Sequence, residues 1–172
     1  MRPLSREELE QTCQGVGVAL AEDTAAGIGL VPQFHQGPRR VVRLQLGEPG
    51  RDLAHKMASL VLGLCDDWIL VPRFRGSSGL GFANPGTNAA ATLFTGSEVA
   101  SLAQHLSAFK HPEAIYSDLW LLSADGCILI RWSHHAHVDG LDIEFASVPE
   151  ASQLLVALNE CGAEFGVLSN DP

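Results

Sequence analysis

Two Asp-Gly dipeptides, Asp125-Gly126 and Asp139-Gly140, punctuate the run SDLWLLSADGCILIRWSHHAHVDGLDIEF. Asp-Gly between strand-like segments is a strong hairpin signal, because a two-residue type I′ turn needs positive φ at both central positions. The pattern therefore predicts a three-stranded meander with definite pairing. The first turn sets Trp120 opposite Arg131, Leu122 opposite Leu129 and Asp118 opposite Ser133. The second sets Val138 opposite Leu141, His137 opposite Asp142, Ala136 opposite Ile143, His135 opposite Glu144 and His134 opposite Phe145.

Side chains alternate across a strand, so these pairs sort onto two faces. One face collects Leu119, Leu121, Ile128, Ile130, Trp132, His134, Ala136, Val138, Leu141, Ile143 and Phe145, and reads as core. The other collects Asp118, Trp120, Leu122, Leu129, Arg131, Ser133, His135, His137, Asp142 and Glu144. An aromatic residue beside an arginine, ringed by charges, has the composition of a protein-binding hot spot.

Elsewhere the chain mixes helix and strand signals. Ser5 to Glu8 forms a capping box, which predicts a helix over 6–21. RRVVRLQL (39–46), DDWILVPRF (66–74) and ATLF (91–94) read as strands, with Pro72 suggesting an edge or bulge. Leu53, Met57, Leu60, Val61 and Leu64 fall on one helical stripe, and Val99, Leu102, Leu106 and Phe109 on another. Residues 27–38, rich in Gly and Pro, and GSSGLGFANPGTN (76–88) read as loops. Ser147 to Glu150 reads as another capping box that opens a last helix, with Pro149 in its first turn, and AEFGVL closes the chain as a strand. The expectation is one α+β domain over residues 1–172, a largely antiparallel sheet with about four helices packed on it.

Charge is unevenly placed. Residues 1–110 hold ten Lys/Arg and ten Asp/Glu, whereas residues 111–172 hold ten acidic groups and one basic group, Arg131, so the net charge of -9 lies in the last third. Such a field repels nucleic acid and anionic membrane and attracts basic partners. Cys13, Cys65, Cys127 and Cys161 are scattered without a C-x-x-C pair and read as reduced thiols. The opening MRPLSREELEQ is not a secretory signal, so a cytoplasmic location is expected.

Two chemical readings compete at the hairpin. His135-x-His137 supplies two metal-ligand types on one strand, and Asp142 or Glu144 a third, which fits a metal binder or metal-dependent enzyme using His135, His137 and Glu144. Alternatively His135 and His137 are surface residues paired with carboxylates across the ladder. Gly76-Ser-Ser-Gly79-Leu-Gly81 follows a strand but lacks the helix and the Lys-Ser/Thr of a phosphate loop. Ser77 and Ser78 lack a nucleophile elbow. No cofactor is implied.

The segments DLWLLSADGCILIRWSHH, VDGLDIEF and ASQLLVALNECGAEF resemble the C-terminal ends of small bacterial immunity proteins of polymorphic-toxin or type VI secretion systems. The resemblance covers about the last third of the chain. It implies a non-enzymatic inhibitor that binds a cognate toxin and blocks its active site. The acidic third would suit a toxin with a basic surface, and no catalytic residue carries over. The expected partner-binding surface is Asp118, Trp120, Arg131, His135, His137, Asp142 and Glu144. A subunit or regulatory module of a larger assembly is the third reading.

Overall fold

The strand run at the C-terminal end of the chain does form a meander, and it sits inside a larger sheet. In the computed structural model, residues 1–22, 30–46, 59–72, 89–102, 119–135, 138–161 and 165–169 are described. In chain order the elements are β1 (Arg2–Leu4), α1 (Arg6–Gly15), β2 (Val18–Glu22), β3 (Leu30–Phe34) and β4 (Arg40–Leu46), then α2, described over 59–62, and β5 (Asp67–Pro72). There follow β6 (Ala91–Thr95), α3, described over 98–102, β7 (Leu119–Ser123), β8 (Ile128–His135), β9 (Val138–Phe145), α4 (Val148–Glu160) and β10 (Phe165–Ser169). Eight strands form one sheet in the order β1-β6-β5-β7-β8-β9-β4-β10, and β2 and β3 form a separate ribbon. Every pairing is antiparallel. The fold is α+β, as the sequence predicts, with four helices among the described residues. No helix among them is long and apolar enough to cross a membrane.

Both faces of the sheet carry a core. The first holds Val42, Trp68, Leu70, Leu121, Ile128, Ile130, Leu141, Ile143 and Phe145 beneath Val61, Leu62, Leu102, Ala151, Leu154 and Leu158 of the helices. The second holds Ile69, Val71, Ala91, Trp120, Leu122 and Leu129 with Leu4, Leu9, Cys13 and Val18 of the N-terminal segment. Here α1 and the β2–β3 ribbon supply the cover, with β3 packed on β5 and β7. Two-sided burial explains why Trp68-Ile-Leu-Val71 and Trp120-Leu-Leu122 are apolar without interruption, since neither face of these strands meets water.

The first turn keeps its expected register, with Trp120 opposite Arg131 and Leu122 opposite Leu129. It is a four-residue loop rather than a two-residue one. The Asp125 carboxylate accepts from the Ser123 hydroxyl (2.6 Å) and the Cys127 amide (3.0 Å), while the Ser123 hydroxyl accepts from the Ile128 amide (2.8 Å). Burial pushes the Asp125 carboxyl up, but these hydrogen bonds outweigh it and leave the group below its ordinary value.

The second turn differs. His135 pairs with Val138, so Asp139-Gly140 lies within β9 and not at the turn. Glu144 faces Leu129 and Asp142 faces Arg131, in place of His135 and His137. The expected pairing would set Ile128–Ser133 against 146–151, where α4 begins. The observed one pairs all of β8 with β9, and β4 pairs with the other edge of β9, through Asp139 and Gly140. The offset is six residues, an even number, so each side chain keeps its predicted face.

The N-terminal helix is shorter than the predicted 6–21. Its capping box forms as expected, the Ser5 hydroxyl accepting from the Glu8 amide and the Glu8 carboxylate from the Ser5 amide. Gly17, at φ +75°, then turns the chain away from helix, and Val18 starts β2. Part of the expected loop over 27–38 is strand β3. Leu53, Met57, Leu106, Phe109 and residues 76–88 lie outside the described residues.

Gly126 has φ +73°, and a Cβ built on it would lie 2.5 Å from the Val16 Cβ. Replacing it with alanine combines left-handed strain with a clash against the end of α1. Gly126→Ala is expected to cost about 1–3 kcal/mol from backbone strain alone, and more from the clash. Urea denaturation checks this, and Val16→Ala in the same chain should recover little of the loss, because alanine keeps the Cβ at 2.5 Å and the Val16 carbonyl oxygen lies at 2.8 Å.

Candidate functional site

One row of directly opposed residues crosses the sheet from core to solvent: Val71 on β5, Trp120 on β7, Arg131 on β8, Asp142 on β9, Arg43 on β4 and Gly166 on β10. Neighbouring strands lie about 4.8 Å apart, so this row is a contiguous stripe on the second face. Val71 is buried, Trp120 is 9% exposed, and the cover of α1 and the β2–β3 ribbon gives way beyond it. From Arg131 outward the row is polar. The next row, Ile69, Leu122, Leu129, Glu144 and Val41, carries a charge only at Glu144.

Asp142 is the hinge of the polar part. Its carboxylate accepts two hydrogen bonds from Arg43, at 2.6 Å from Nε and 3.2 Å from Nη2, and one from Arg131 Nη2 at 2.7 Å. The aspartate side chain is 12% exposed, against 51% for Arg43 and 40% for Arg131. A carboxylate this sheltered is tolerable because two guanidinium groups satisfy it, and charge-assisted bonds are roughly twice as strong as neutral ones. On its other side Arg131 lies over the Trp120 ring, 6.0 Å from its centroid, within cation–π range.

Burial pushes the Glu144 carboxyl above its ordinary value, Arg131 pulls it partly back, and Asp142 adds to the rise. Two donors in the row are buried without an acceptor: Nε1–H of Trp120 and Nε–H of Arg131. The contrast with Trp68 is direct, because its Nε1–H donates to the carbonyls of Leu62 (2.9 Å) and Cys65 (3.2 Å).

Of the residues expected at a binding surface, Arg131, Asp142 and Glu144 come together on this face. Trp120 shares the row but is not an outward anchor; the N-terminal layer covers it, and its role is to support Arg131 from beneath. His135 sits four positions along β8 from Arg131, about 13 Å away at strand rise, opposite Val138. Asp118 and His137 lie outside the described residues. The metal reading through His135, His137 and Glu144 does not survive the register, since Glu144 pairs with Leu129, six positions and about 20 Å along the strand from His135. Among the described residues no group of three or more His, Cys, Asp or Glu is placed to hold a metal. Sequence reasoning missed Arg43. Its partner Asp142 is 99 residues away, and nothing local announces the pairing.

Two outcomes follow. Trp120→Ala, harmless for a surface residue, is expected to cost about 3–5 kcal/mol as a large core truncation, read by urea unfolding. For Glu144, the folded chain binds the proton more tightly than the unfolded chain. Its contribution is therefore favourable at low pH and is lost as pH rises from about 4.3 through the raised value. Glu144→Gln should gain in unfolding midpoint over the wild type as pH climbs toward 7, and show no such gain at acid pH. Comparison with known protein families, curated proteins and solved structures found no match for this chain.

Proposed function

We propose that this chain is a non-enzymatic toxin-neutralising protein of the immunity type, which binds its cognate toxin through the charged end of the second sheet face. The observation that supports it is the row itself. Among the described residues the cover that buries Trp120, Leu122 and Leu129 stops, and an arginine–aspartate–arginine bridge, Glu144 and the open position at Gly166 continue the same face. Arg43, held by two hydrogen bonds to a sheltered carboxylate, loses little freedom on binding, so more of its contact energy reaches the complex.

The mechanism is occlusion. No bond is made or broken; the chain covers the toxin's working surface. The acidic excess of residues 111–172 attracts a partner with a basic surface from a distance, which raises the association rate more than the affinity. The same field disfavours nucleic acid and anionic membrane as partners. Within this reading the chain works in the cytoplasm, where the toxin's target lies, and needs no cofactor.

Gly166 makes a sharp test. It is exposed, opposes Arg43, and an added Cβ there meets nothing within 4 Å. Gly166→Trp should leave the unfolding midpoint within about 0.5 kcal/mol of wild type, as for an ordinary surface change, yet put a wedge on the binding face. The polypeptide encoded directly beside this gene is expressed in a sensitive host, with the wild-type chain or the variant. Growth restored by the wild type and lost with Gly166→Trp or Arg43→Ala supports the reading. No toxicity, no rescue by the wild type, or full rescue by both variants contradicts it.

A further inference from the structure

The two orphan donors belong to one pair of residues. Trp120 and Arg131 are directly opposed, and the guanidinium lies over the indole. Leaving a buried donor without an acceptor costs about 1–3 kcal/mol, and native proteins keep few such groups. The nearby carboxylate does not serve them. Oδ1 of Asp142 takes Arg43 Nε, and Oδ2 takes Arg43 Nη2 and Arg131 Nη2. Two guanidinium groups thus share one carboxylate. At these two donors the stripe lacks a hydrogen-bond acceptor among the described residues.

We propose that the Trp120–Arg131 pair is the receptor for the carboxylate side chain of an aspartate or glutamate presented by the protein partner. One carboxylate oxygen accepts from Arg131 Nε–H and the other from Trp120 Nε1–H. Both donors are shielded in the free chain, so Arg131, whose side chain is 40% exposed, turns aside from the ring to admit the ligand; rotamer changes of this kind take picoseconds to nanoseconds. Asp142 keeps its bonds to Arg43 and holds the site open on one side. The inference deepens the proposed function. A toxin drawn in by the overall acidic field is gripped locally by an acidic side chain of its own, and a partner lacking that side chain leaves the donors unsatisfied.

The test uses the isotope-labelled full chain and follows side-chain N–H signals by NMR. The Trp120 indole signal is identified by its loss in Trp120→Phe, and the Arg131 Nε–H signal by its loss in Arg131→Lys. The probes are N-acetylglutamic acid α-amide, its glutamine counterpart and inorganic phosphate. The expected result is a saturable millimolar shift of both signals with the glutamate probe, at least about tenfold weaker with the glutamine probe, and a weakened Trp120 response in Arg131→Lys. No saturable shift, an equal response to the glutamine probe, preference for phosphate, or a long-lived water on the Trp120 N–H overturns the proposal. The growth assay fails separately. Neutralisation without a carboxylate response removes only this inference, whereas a carboxylate response without neutralisation removes the toxin reading and leaves the site.

Discussion

The pairing of β9 with its two neighbours governs everything else. On β9, Leu141, Ile143 and Phe145 point into the first core while Asp142 and Glu144 point to the second face. A shift of one residue would put three large apolar side chains on the wrong face and bury two carboxylates. The ladders to β8 and β4 oppose that shift from both sides, so the alternation in five residues sets the position of Arg131, Asp142 and Arg43 together. The charged row is thus a consequence of core packing. The first core decides where the polar residues must stand, and the sheet delivers them at strand spacing.

Where the second layer ends is the other determinant. The N-terminal segment covers Ile69 and Val71 of β5 and Trp120 and Leu122 of β7, whereas β9 and β4 present Asp142, Glu144 and Arg43 on the same face. Trp120 stands at that boundary, buried yet in contact with the first charged residue of the row. A tryptophan in this position does two things that a leucine would not. It offers a flat ring on which the Arg131 guanidinium rests, and it carries an N–H that the core does not satisfy. Strained or unsatisfied groups in a native protein concentrate where function requires them. The paired orphan donors at the edge of a covered face are such a feature.

Much of this was legible in the residues. The capping box at Ser5, the first hairpin, the face assignment of every core residue from Leu121 to Phe145, and the last helix and strand follow from local patterns with local causes. Asp139-Gly140 misled because an Asp-Gly pair signals a turn only when nothing better pairs with it; here β4 and β8 both do. The β2–β3 ribbon was hidden by Pro32 and by short, mixed sequences that carry neither clear period. The burial of Trp120 was written in the unbroken apolar runs at 68–71 and 120–122, which imply cover on both faces. The Arg43 contact was not written locally at all, because it depends on β4 crossing to the far side of β9. Proximity in the sheet, not in the chain, assembles the polar row.

The central claim is that a partner docks on the exposed end of the second face and not on the helical face. A photoreactive residue placed at position 41, with a second chain carrying it at position 156, separates the two most directly. Val41 lies on the proposed face, opposite Glu144 and two residues from Arg43, whereas Val156 is an exposed residue of α4 in the helical layer that covers the first face. With the polypeptide encoded beside this gene present, crosslinking is expected from position 41 and none from position 156. Crosslinking from position 156 alone, or equally from both, would contradict it.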